Sequence, residues 1–138
     1  MASELKVNTL TGVSTAGSIA VTGEGNSTTT NLQQGLSKQW SKYNQQTPAT
    51  ADSFNTTSIT DAATGKFTTV ITNVMSSTDY TTIGTCISVG NYHGATSGPH
   101  TSDVTITTST YGLRTASTSN ETLRDMDHNS VLVHGDLA

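Results

Sequence analysis

Ser53-Phe-Asn-Thr-Thr-Ser-Ile59, Thr60-Asp-Ala-Ala-Thr-Gly65 and Lys66-Phe-Thr-Thr-Val-Ile-Thr72 form the stretch that decides the fold. The last segment alternates, with Phe67, Thr69 and Ile71 on one face and Thr68, Val70 and Thr72 on the other, which is the period of a strand. Threonine is β-branched, so it suits a pleated strand better than a helix. The Asp- and Gly-bearing segment between the two runs predicts a hairpin with a longer loop. Downstream, Thr81 to Val89 gives a third strand, with Ile83, Thr85, Ile87 and Val89 set against Gly84, Cys86 and Ser88. A loop is expected from Gly90 to His100, then strands Asp103-Val-Thr-Ile-Thr107 and Thr110-Tyr-Gly-Leu-Arg-Thr115. A second polar loop is expected from Ser117 to Asn129, before a final strand, Ser130-Val-Leu-Val-His134, whose central run suits burial on both faces. Strands at this spacing, with turn signals between them, define an all-β chain and an antiparallel β-sandwich.

Upstream of the hairpin the pattern thins. Leu5-Lys-Val-Asn-Thr-Leu10 and Ser18-Ile-Ala-Val-Thr22 read as two short strands in polar surroundings, and Gly23 to Thr30 is a linker by composition. Residues 1–30 cannot form a core alone and read as an extended arm that needs partner chains, with Leu5, Val7 and Leu10 as its attachment residues. Residues 31–46 read as a neck. Leu32, Leu36, Gln39 and Tyr43 fall four, three and four apart, a short helical stripe that Asn31 could cap. A strand from Lys38 to Tyr43 fits the same residues equally well. In either conformation Leu32, Leu36, Trp40 and Tyr43 are the expected subunit contacts, and residues 47–138 form the sandwich head.

Composition narrows the class further. Threonine and serine make up about a third of the 138 residues, while charged residues are 12% and hydrophobic ones 32%. Low hydrophobicity alone suggests disorder, but the net charge of -4 is too small for that class. With 2 Phe, 1 Trp and 4 Tyr the core is thin, so burial between identical subunits is expected. The single cysteine, Cys86, excludes an intrachain disulfide and reads as a buried thiol. Six basic residues against ten acidic give no nucleic-acid footprint. No apolar run approaches membrane-spanning length, and Met1-Ala-Ser-Glu-Leu-Lys6 lacks the basic and apolar regions of a signal peptide.

Ser3-Glu-Leu-Lys-Val-Asn-Thr-Leu10, Leu32-Gln-Gln-Gly-Leu-Ser-Lys-Gln-Trp40, Asp52-Ser-Phe-Asn-Thr-Thr-Ser-Ile-Thr-Asp61, Thr64-Gly-Lys-Phe-Thr68 and Asp79-Tyr80 together resemble a known group. They are similar, in sequence and order, to small structural proteins of marine tailed phages, those of cyanobacteria and abundant ocean bacteria, often called tail fibre proteins. The resemblance runs along nearly the whole chain. It implies a virion protein, a homotrimer with a slender attachment arm and a β-sandwich head, whose partners are capsid, portal or tail proteins. The group also includes proteins that decorate the capsid.

Chemistry is sparse. His93, His100, His128 and His134 show none of the tight pairs that zinc sites use, and Asp125-Met-Asp127-His-Asn129 lacks the glycine and distant glutamate of a calcium loop. There is no nucleophile elbow and no phosphate-cradling loop. No catalytic residue, metal or cofactor is therefore expected, and no membrane insertion. Recognition is the better prospect: Asn91, Tyr92, His93 and His100 in one expected loop, and Asn120 and His128 in the other, are candidate receptor contacts. Tyr92 could stack on a sugar of a host-surface glycan or pack against a neighbouring subunit.

Overall fold

The computed structural model describes residues 4–12, 19–23, 29–88, 91–99, 106–117 and 122–137, with Gln33 and residues 91–99 described by backbone alone. The chain divides into two compact units, Met1–Leu36 and Ser37–Ala138. Both are built of antiparallel β structure, with one helical turn as the exception.

In the first unit β1 (Ala20–Thr22) pairs with β2 (Thr29–Asn31), and the helical turn α1 (Leu32–Gly35) follows directly. The Leu32 N–H donates to Ile19 O at 2.8 Å, which ties the turn back to the start of β1. Asn31 caps the turn as expected, its Oδ1 accepting the Gln34 N–H at 3.2 Å. Residues 4–12 carry no strand. Their alternation supplies a strand-like face, but a strand also requires a hydrogen-bonding neighbour.

The second unit is an eight-stranded antiparallel sheet: β3 (Gln39–Asn44), β4 (Ala49–Phe54), β5 (Thr56–Ala63), β6 (Lys66–Ile71), β7 (Thr81–Ser88), β8 (Asn91–Pro99), β9 (Thr110–Thr115) and β10 (His128–His134). Their spatial order is β4-β3-β10-β7-β8-β9-β6-β5. β3 and β6 stand five places apart in this order, which in a flat sheet would separate them by about 24 Å. The rings of Tyr43 on β3 and Phe67 on β6 are nevertheless 5.4 Å apart. The sheet must therefore fold back on itself, and its two halves share one sandwich-like core. Tyr43, Phe67, Ile71, Met75, Tyr111, Leu113, Val131 and Val133 form that core, with Ile59 and Tyr80 packed against it.

The fold-back is fixed at a corner between the two edge strands. β4 runs into β5 through Asn55, which holds a left-handed φ of 55°. Asn55 Nδ2 donates to Lys38 O at 2.8 Å and to Asn73 O at 3.1 Å, and its Oδ1 accepts the Asn73 N–H at 2.6 Å. Asparagine tolerates this backbone better than most residues, and here its amide also ties three separate segments together.

In the second unit the strand expected at 103–107 lies mostly outside the described residues, Ile106 and Thr107 being in no strand, and four other expected elements shift. The hairpin loop is shorter than 60–65, because β5 continues to Ala63 and turns on Thr64-Gly65. The expected strand 53–59 is broken at Asn55 into the ends of two strands. Residues 91–99, expected as a loop, form β8, paired with β7 on one side and β9 on the other. The last strand is buried on one face only: Asn129, Val131 and Val133 point inward, and His128, Ser130 and Leu132 point outward.

Buried polar groups brace the thin core. Tyr111 Oη donates to Gln39 Oε1 at 2.8 Å, and Gln39 Nε2 donates to Thr56 Oγ1 at 2.8 Å. Asn129 Nδ2 donates to Tyr43 O at 3.2 Å and to Met126 O at 3.0 Å. These bonds join strands from both halves of the sheet through the polar part of the interior.

Candidate functional site

The residue pairings of β4, β3, β10 and β7 decide which side chains meet on the outside of the second unit. Trp40 is opposite Phe54 and Leu132, and Leu132 is opposite Ile83. Phe54, Trp40, Leu132 and Ile83 thus stand at one level across four adjacent strands. One step along, Asp52, Lys42, Ser130 and Thr85 form a second level. A groove of about 390 Å³ runs between these levels, lined by Trp40, Lys42, Ile83, Thr85, Ser130 and Leu132. This is a hydroxyl-edged apolar surface, with Lys42 and Asp52 side by side at its border.

The expected subunit contacts separate on this framework. Trp40 lies on the outer face, 37% exposed. Tyr43, three residues on, lies on the opposite face of the same strand and is buried in the core, so it is not available to a neighbouring subunit. A helix would have put Gln39 and Tyr43 on one stripe with Leu36, whereas a strand sends residues three apart to opposite faces. The expected neck is itself divided: Leu32 sits in α1 and Leu36 is exposed, both in the first unit, while β3 belongs to the sheet of the second. Leu5, Val7 and Leu10 are all exposed, Leu5 by 80%.

Of the expected receptor contacts, His128 is exposed on the outer face of β10, opposite Ile87 of β7. Asn91, Tyr92 and His93 lie on β8 by their backbone. Their side chains, and His100 and Asn120, lie outside the described residues. Phe54, Ile83 and Leu132 are contributors to the outer surface that sequence reasoning missed. The alternation of Ile83 with Cys86 was visible, but which parity faced outward was not.

Asp125 Oδ1 accepts the Gly65 N–H at 2.6 Å, fixing the β5–β6 turn. Burial pushes the Cys86 thiol up to about 11 and the Tyr111 phenol up to about 12. Tyr43 is also raised, first by burial and then by the negative charges of Asp61 and Asp125. Among the described residues no group of three or more His, Cys, Asp or Glu side chains is placed to hold a metal ion. No helix among them is long and apolar enough to cross a membrane. Comparison with protein-family models, curated proteins and solved structures finds no match.

Proposed function

We propose that the chain is a structural module of a tailed-phage particle, attached through residues 1–30 and displaying its β-rich second unit for adhesion to the host surface. The observation that carries this reading is the exposure of Leu5, Val7 and Leu10 in a segment with no strand of its own. Apolar side chains spaced along a short uncovered segment suit docking into a groove of a capsid, portal or tail protein. The resemblance of the 3–10, 32–40 and 52–61 segments to marine phage structural proteins points the same way. So does the Thr- and Ser-rich composition, which keeps a surface soluble at high copy number without charge repulsion.

In the assembled form Leu32 and Leu36 help gather identical subunits, three in the arrangement the resemblance implies. The second unit then offers the strand carrying Tyr92 to a host-surface glycan. No catalytic step belongs to this role. Labelled antibody against the second unit, viewed by electron microscopy on intact particles, tests it, and labelling at the tail is expected. Labelling over the capsid would make the protein a decoration protein without a receptor-binding role. Unlabelled particles would remove the assignment altogether.

A further inference from the structure

One of the chain's two phenylalanines and its only tryptophan stand outside the core, on the outer face of β4 and β3. With so few aromatic groups available, that allocation calls for a cover. Phe54 is 52% exposed and Ile83 55%, at the two ends of the row Phe54-Trp40-Leu132-Ile83, and Ile87, further along β7, is 59% exposed.

We propose that this face is covered by the same face of a second copy of the chain, across a two-fold axis through the middle of the row. The first argument is the order of the row. A two-fold axis between Trp40 and Leu132 reverses it, so Trp40 falls on the partner's Leu132 and Phe54 on the partner's Ile83. Every position then sets an aromatic ring on an aliphatic side chain, with the groove beside Leu132 receiving the indole. The second argument is area. Side chains of about 150–250 Å² exposed to the degree of Phe54, Trp40, Ile83 and Ile87 present about 400 Å² of apolar surface. A standard interface takes about 800 Å² from each partner, a little over half of it apolar, so these four side chains supply most of the apolar share. The third is charge. The adjoining level pairs Asp52 directly with Lys42 beside two hydroxyl residues, so it adds no net charge to oppose the approach of an identical face. Stacked sheets with roughly aligned strands are an ordinary way for two β faces to pack. The contact belongs to the second unit and does not rest on the phage assignment.

Trp40 is a built-in reporter, being the only tryptophan. In the full-length protein at high concentration its emission should be blue-shifted and shielded from acrylamide. On dilution the emission should shift to the red together with a fall in mass by sedimentation. Ile83→Lys should give red-shifted emission at every concentration and lose that step in mass. Geometry gives a second test. Phe54 and Ile83 of one chain lie three strand spacings apart, about 14 Å, too far for an internal disulfide. The double variant Phe54→Cys/Ile83→Cys should therefore oxidise to a covalent dimer that neither single variant forms. Trp40 equally open to quencher at all concentrations would overturn the proposal. So would a mass unaffected by Ile83→Lys, or single cysteine variants that cross-link as readily as the double one. If Trp40 becomes shielded only on adding a glycan or another protein, the face belongs to that partner and the proposal fails.

Discussion

Asn55 does in one residue what a longer loop would otherwise have to do. Its backbone accepts a φ of 55°, and its side-chain amide closes bonds to Lys38 and Asn73. Asn55→Ala keeps the strained backbone and removes three hydrogen bonds, so a loss of about 2 kcal/mol in stability is expected by chemical denaturation. Asn55→Gly should lose less, because glycine relieves the backbone while still lacking the amide. Cys86 makes the opposite case, a residue whose environment silences it. It is 3% exposed, packs with Met126, and its thiol is pushed up to about 11. Since the thiolate is the reactive form, the folded protein should leave a colorimetric thiol reagent unreacted near neutral pH and consume one equivalent once unfolded. Prompt reaction of the native protein would contradict the burial.

At the scale of elements, the β5–β6 turn is closely enclosed. Gly65 has a φ of 66°, and a Cβ there would stand 2.5 Å from Thr115 O and 2.7 Å from Arg124 N. Gly65→Ala should therefore destabilise by about 3 kcal/mol, seen as a lower melting temperature, and more than an alanine at the exposed Gly35, where nothing lies nearby. The hairpin around this turn was legible in the sequence because Phe67, Thr69 and Ile71 alternate cleanly with a Gly-bearing turn before them. β9 was legible for the same reason. β8 was not: Asn91-Tyr-His-Gly-Ala-Thr-Ser-Gly-Pro99 has the composition of a loop. It is a strand because β7 and β9 offer backbone partners on both sides, a fact of topology rather than of local preference. β4 was hidden for a related reason: it is an edge strand with most of its side chains exposed, so no apolar alternation marks it. The outer surface was half visible, since Trp40 was singled out while Phe54, Leu132 and Ile83 join it only through cross-strand register.

For the whole molecule, a small aromatic core and a fold-back sheet predict a particular response to pH. Cys86, Tyr111, Tyr43 and Tyr80 all have folded values raised by burial, so the fold favours their protonated forms. Their contribution is complete below the ordinary thiol and phenol values of about 8.5 and 10, and is lost as pH rises through the folded values. Stability measured by denaturant titration should accordingly fall between about pH 9 and pH 12, with tyrosine ionisation appearing together with unfolding. A flat profile over that range would mean the phenols are solvated.

The division into two units gives the proposed role its mechanical logic: a small first unit with exposed apolar residues and a compact second unit with its own core. The second unit should therefore survive removal of residues 2–30, while the particle loses its hold on it. The most direct measurement is immunoblotting of gradient-purified phage particles assembled with either the full-length chain or the chain lacking residues 2–30. The full-length chain should co-purify with particles, and the truncated chain should remain in the unassembled fraction as a folded protein. Absence of the full-length chain from particles, or equal incorporation of the truncated one, would contradict the account.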